Sequence, residues 1–108
     1  NGHVDAARLL LEKGAEVDRA KEKGVTPLFL ACQNGHVDLA RLLLDKGAAV
    51  DRAVEGGWTP LLIATHSGHI SVVKILLERG AEVDQGLNGC TPLFLTCQNG
   101  NVDAARLL

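Results

Sequence analysis

The sequence contains no run of 18 consecutive apolar residues and so offers no candidate for a membrane-spanning helix. Its first residues, Asn1-Gly2-His3-Val4-Asp5, lack the basic start and apolar core of a secretory signal. Neither sign of charge forms a block: 11 Lys and Arg stand against 13 Asp and Glu, interspersed. That balance argues against nucleic acid or an anionic membrane as the main partner. Cysteine is scarce as well. Cys32, Cys90 and Cys97 are odd in number and include no CxxC pair, which suits a reducing compartment better than a disulfide framework. A soluble intracellular protein, cytoplasmic or nuclear, is the expectation.

What the sequence does have is self-similarity. Thr26-Pro27-Leu28, Thr59-Pro60-Leu61 and Thr91-Pro92-Leu93 are spaced 33 and then 32 residues apart, and Gly14-Ala15, Gly47-Ala48 and Gly80-Ala81 by 33 and 33. A fixed period of this length marks a solenoid, in which each unit buries its apolar face on the next. At 108 residues the chain has room for one such domain. It divides into a partial unit at 1–17, whole units at 18–50 and 51–83, and a partial unit at 84–108. Cys32 and Cys97 fall at the same place two units apart, beyond the roughly 7 Å Cα separation that a disulfide allows.

Each unit reads as two short helices. Threonine is a good N-cap, and proline at the next position lacks only an N–H that would have had no partner. Thr26, Thr59 and Thr91 therefore open a first helix, with Leu28, Leu30 and Ala31 facing inward in one unit and Leu61, Ile63 and Ala64 in the next. Gly35 stops the first of these after about two turns. A second helix starts near Val37, with Asp38 in its first turn where the helix dipole favours an anion. It turns Leu39, Ala40, Leu43 and Leu44 to one face and ends at Gly47; Val72, Val73, Leu76 and Leu77 repeat the pattern. Lys13, Lys46 and Arg79 place a positive charge at the C-terminal ends. Helices this short are marginal alone, so stacking has to stabilise them, and Ala31, Ala40 and Ala64 permit close approach.

The succession Gly-x-Thr-Pro-Leu, Ala, Gly-His, Leu-Leu and Gly-Ala, with turns at Gly2-His3, Gly35-His36, Gly68-His69 and Gly100-Asn101, resembles the ankyrin repeat over essentially the whole chain. The resemblance implies an all-α solenoid of stacked antiparallel helix pairs, with a short β-hairpin projecting from each junction. Two departures stand out. The family usually has His after Thr-Pro-Leu, where it links neighbouring units; here Phe29, Leu62 and Phe94 occupy that place, and apolar packing is expected to replace those hydrogen bonds. The connector between Asp84 and Gly89 is one residue shorter than its counterparts, which predicts a tighter third hairpin with Gly86 and Gly89 absorbing the strain.

Residues 1–10 and 99–108 are the same sequence apart from His3 against Asn101. No polar capping unit is evident, so either an excised piece of a longer array or a chain whose bare ends meet other copies is expected, and apolar ends favour end-to-end association in both cases.

Repeats of this kind act as binding surfaces, and the resemblance implies which positions contact a protein partner. They lie on the hairpin tips, before each Thr-Pro and at the ends of the first helices. In the first whole unit they are Ala20, Glu22, Lys23, Val25, Gln33 and Asn34. In the second they are Ala53, Glu55, Trp58, His66 and Ser67, and in the last Leu87, Asn88, Cys90, Gln98 and Asn99. Trp58 is the strongest candidate, being the sole tryptophan and a residue type that dominates interface energetics. The competing expectation lays its ring over a neighbouring hairpin.

Chemistry of the chain's own is not expected. Cys32 with His36 and His66 with His69 have helical spacing for a zinc pair, but Gly35 and Gly68 interrupt both, and the histidines already serve as turn residues. Ser67 and Ser71 beside His66 and His69 follow from the period, and Gly56-Gly57 lacks the spacing and lysine of a phosphate loop. Arg41, Asp45, Lys74 and Glu78 read as a solvated convex face. No catalytic residue, metal or cofactor is expected. The function expected is a non-catalytic protein-interaction module, and the alternative is a structural or artificial repeat scaffold with no evolved partner.

Overall fold

A computed structural model describes residues 5, 6, 8–10, 24–83, 91, 93, 100 and 102–108 of the chain. The best-described part is built by the two threonines. Thr26 and Thr59 sit in extended backbone at φ −95° and −90°, and each hydroxyl accepts from the N–H three residues on, Phe29 at 3.2 Å and Leu62 at 3.1 Å. Proline follows in both cases. The result is α1 (Pro27–Asn34) and α3 (Pro60–His66), as the Thr-Pro reading predicts. Both hydroxyls are buried, so removing one leaves an amide with neither water nor a partner. Thr59→Ala is expected to cost about 1–2 kcal/mol in a urea titration, and Thr59→Ser well under half of that. An unchanged midpoint for Thr59→Ala would remove the cap from the account.

The second helices, α2 (Val37–Asp45) and α4 (Ile70–Glu78), begin at His36 and His69, which make no side-chain cap. Asp38 stands in the first turn of α2, and Lys46 and Arg79 are the C-caps, so the dipole signals read in the sequence are in place. A last helix, α5 (Val102–Leu107), follows, and Asp5, Ala6, Arg8, Leu9 and Leu10 are helical at the other end.

Packing follows the unit order. Each first helix lies against its own second helix, α1 against α2 and α3 against α4. Between units α1 packs on α3, α2 on α4, and α4 on α5. This is the all-α solenoid of stacked helix pairs. The core consists of Leu28, Phe29, Ala31, Cys32, Ala40, Leu43, Leu61, Ile63, Ala64, Val72, Val73 and Leu76, with the alanines where helices meet. Phe29 and Leu62 are both buried, so apolar side chains do fill the place where the resembling family carries histidine.

Three expectations need correction. Leu30, expected to face inward, is 37% exposed, whereas its counterpart Ile63, on a helix packed against α1, is 8% exposed. On the second helices Leu42 and Ile75 are buried, while Leu39, Leu44 and Leu77 are only half-buried. Each second helix touches its own first helix and a neighbouring second helix, which widens the covered arc beyond one stripe. Among the described residues the connector between α2 and α3 also contains no strand. It is a hairpin closed by single contacts: the Gly57 N–H donates to the Val54 carbonyl at 2.9 Å, and the Val54 N–H to the Trp58 carbonyl at 2.9 Å. Gly56 and Gly57 have φ of 95° and 91°, so the turn needs two consecutive residues without a Cβ. The shortened third connector lies outside the described residues.

Candidate functional site

The residues expected to meet a partner divide by position. Val25 is half-buried and packs on the core just before the α1 cap. Gln33 and Asn34 are exposed at the end of α1, and His66 and Ser67 at the end of α3. Ala53 and Glu55 are exposed on the hairpin tip. Glu22, Lys23, Asn88, Cys90, Gln98 and Asn99, with Ala20 and Leu87, lie outside the described residues.

Trp58 is fixed from both sides in sequence, by the hairpin that takes its carbonyl and by the cap at Thr59. It is half-buried against the core. Its indole meets the imidazole of His66 edge-to-face, with ring centroids 5.4 Å apart and planes at 65°. From Pro60 to His66 the helix rises by about 9 Å, so the Trp58 and His66 rings meet along the flank of α3. Sequence reasoning named both residues but did not join them. The ring meets the end of its own unit's first helix.

The ends of α1 and α3 are tied across the unit boundary by His69. Its Nε2 lies 3.1 Å from the carbonyl of Gln33, which can only accept, so Nε2 carries the proton and donates. The ring fits because Gly35 has no side chain and adopts φ 75°; a Cβ there would lie 2.6 Å from His69 Nδ1 and 2.8 Å from Cε1. The turn role expected for His69 is thus extended to a strap between units. The one available signal was the repeated Gly-His pair, and spacing alone does not say where the ring points.

Two more polar links follow, one between the same units and one inside the unit 51–83. Arg79 Nη2 pairs with Asp45 Oδ1 at 2.5 Å, and the Glu82 N–H donates to Asp51 Oδ1 at 3.0 Å. Asp45 is therefore more than a solvated convex charge, although an exposed pair of this kind contributes only about 0.2–1 kcal/mol.

Cys32 is buried, and loss of solvation pushes its thiol pKa up to about 12, so it is neither a ready nucleophile nor a thiolate ligand near neutral pH. Its partner in the i, i+4 reading, His36, is exposed. Among the described residues no three His, Cys, Asp or Glu side chains are gathered as a metal site. None of the described helices is long and apolar enough to cross a membrane.

A family model described as Ankyrin repeats (3 copies) matches residues 1–86, and one described as Ankyrin repeat matches residues 88–108. A comparison with curated proteins gave no match.

Proposed function

Because the chain belongs to the ankyrin repeat family, whose repeats are generally protein–protein interaction modules, we propose that it binds a protein partner on its concave hairpin and first-helix face, without catalysis of its own. The observation that carries this reading is the Trp58–His66 pair. A half-buried indole held by the hairpin, by the cap and by an edge-to-face ring is a pre-ordered aromatic anchor. A rigid side chain of this size contributes contact area with little further loss of rotamer freedom. On this reading the same face also carries exposed small or polar side chains able to adapt to a partner: Ala53 and Glu55 on the tip, Gln33 and Asn34 on α1, and Ser67 after α3.

The partner belongs inside a reducing compartment on this reading, in keeping with a buried free thiol at Cys32. The test is capture of a partner from the source cell, followed by titration of the purified partner. Trp58→Ala is expected to weaken binding by about 2 kcal/mol, roughly 30-fold. Lys74→Ala, on the outer face of α4, is expected to leave it within twofold. Equal binding by wild type and Trp58→Ala would end the assignment of this face.

A further inference from the structure

We propose that the Asn34–Gly35 peptide is a self-modification site, at which the asparagine side chain cyclises and hydrolyses without an enzyme, and that the imidazole of His69 holds it shut in the folded chain. Asparagine before glycine is open to this chemistry because no Cβ on the second residue shields its amide nitrogen. The sequence carries the pair four times, at 1–2, 34–35, 88–89 and 99–100. At 34–35 both residues are described: Asn34 is exposed at the last position of α1, and Gly35 closes that helix.

Water is the only co-reactant. The Gly35 nitrogen gives its proton to solvent and attacks Cγ of Asn34. As the new C–N bond forms, the Cγ–Nδ2 bond breaks, and ammonia leaves with a proton returned by solvent. Water then opens the five-membered imide at either carbonyl, giving aspartate or isoaspartate at 34, with nothing oxidised or reduced.

Three features of the fold oppose the first step. The Gly35 N–H donates to the Ala31 carbonyl, so its nitrogen is not free to attack. Asn34 has helical backbone, and the peptide after it has to rotate before that nitrogen can face Cγ. The His69 ring lies so near Gly35 that a Cβ there would stand 2.6 Å from Nδ1, and its Nε2 is held on the Gln33 carbonyl at 3.1 Å. Release of that bond lets the ring move and the peptide turn, a local opening at the unit boundary that needs no global unfolding. The product opposes closure again. A carboxylate at the C-terminal end of α1 is disfavoured by the helix dipole, and isoaspartate adds a backbone atom just before the left-handed glycine.

The test follows Asn34 in the full chain by peptide mapping and mass spectrometry at mildly alkaline pH, with isoaspartate identified by fragmentation. In guanidinium chloride, where the turn is lost, Asn34 should convert; in the folded chain conversion should be at least about tenfold slower. His69→Ala should speed it in the folded chain about fivefold, the share of one hydrogen bond. Thr59→Ala, which weakens the fold as much or more at a distance, should change it by less than about twofold. Circular dichroism establishes that both variants are folded. Hydrogen exchange at the Gly35 amide of the wild type requires the same release of the N–H, so it should be slowed at least about tenfold against the unfolded chain, and this arm needs no variant. The proposal is overturned by a folded wild type that converts as fast as the unfolded chain, or by an Asn34 that stays intact when unfolded. An unprotected Gly35 amide also overturns it, as does a His69→Ala rate equal to that of wild type or of Thr59→Ala. No partner takes part in these measurements, so they stand or fall apart from the binding assay.

Discussion

Replacing Gly35 with alanine is expected to destabilise the protein by about 2–3 kcal/mol, from two separable causes. The backbone at φ 75° is the left-handed conformation, where a Cβ crowds the following carbonyl at a cost of roughly 1–2 kcal/mol. The same Cβ would stand 2.6 Å from Nδ1 of His69 and 3.0 Å from its Cγ, closer than those atoms can remain. The imidazole has to swing away, and the bond to the Gln33 carbonyl goes with it, a further loss of about 1 kcal/mol. The two causes come apart in a double-mutant cycle. His69→Ala alone should cost about 1 kcal/mol, and in its presence Gly35→Ala should cost only the backbone term. Urea titrations of the four proteins measure this. Strict additivity would mean that the ring and the glycine do not meet as described.

The second large effect is expected at Leu62. Its side chain is wholly buried at the position after Thr-Pro-Leu, so Leu62→Ala removes apolar contacts and leaves a cavity. A cost of about 3 kcal/mol is expected, within the range of about 2–5 seen for such truncations. Leu30→Ala provides the contrast, since that side chain is already open to solvent and should lose about 1 kcal/mol or less. Comparable effects at the two positions in thermal or urea unfolding would contradict the distribution of burial along the first helices.

This contrast also shows what was legible in the sequence. The caps were readable because their chemistry is local: a threonine hydroxyl and the proline after it act within one turn, and both appear at Thr26 and Thr59. The αL stop at Gly35 was readable for the same reason. Leu30 was not, because periodicity identifies a helix face but not how many neighbours cover it. Leu30 and Ile63 share a pattern and differ in exposure, 37% against 8%. On the second helices the error ran the other way, since a helix touched from two directions buries Leu42 and Ile75 outside the single expected stripe.

At the candidate site the identities of Trp58 and His66 came from the repeat register, and their contact did not. It depends on how far an indole reaches along a helix, which is set by rotamer and packing. The links from His69 to Gln33 and from Glu82 to Asp51 span 36 and 31 residues, and no local pattern announces them.

Those links, with the pair between Arg79 and Asp45, have a mechanical consequence. Two of them, His69 to Gln33 and Arg79 to Asp45, attach one unit to the next, at the turn between the helices and at the far end of the second helices. His69 precedes α4 and Arg79 follows it, so the two links pin both ends of α4 to the preceding unit. The apolar contact between α1 and α3 and between α2 and α4 holds the units together, while the two pins oppose movement of α4 along its neighbour. A ligand spanning both units would then meet a stack in which swinging α4 away from its neighbour breaks a pin first.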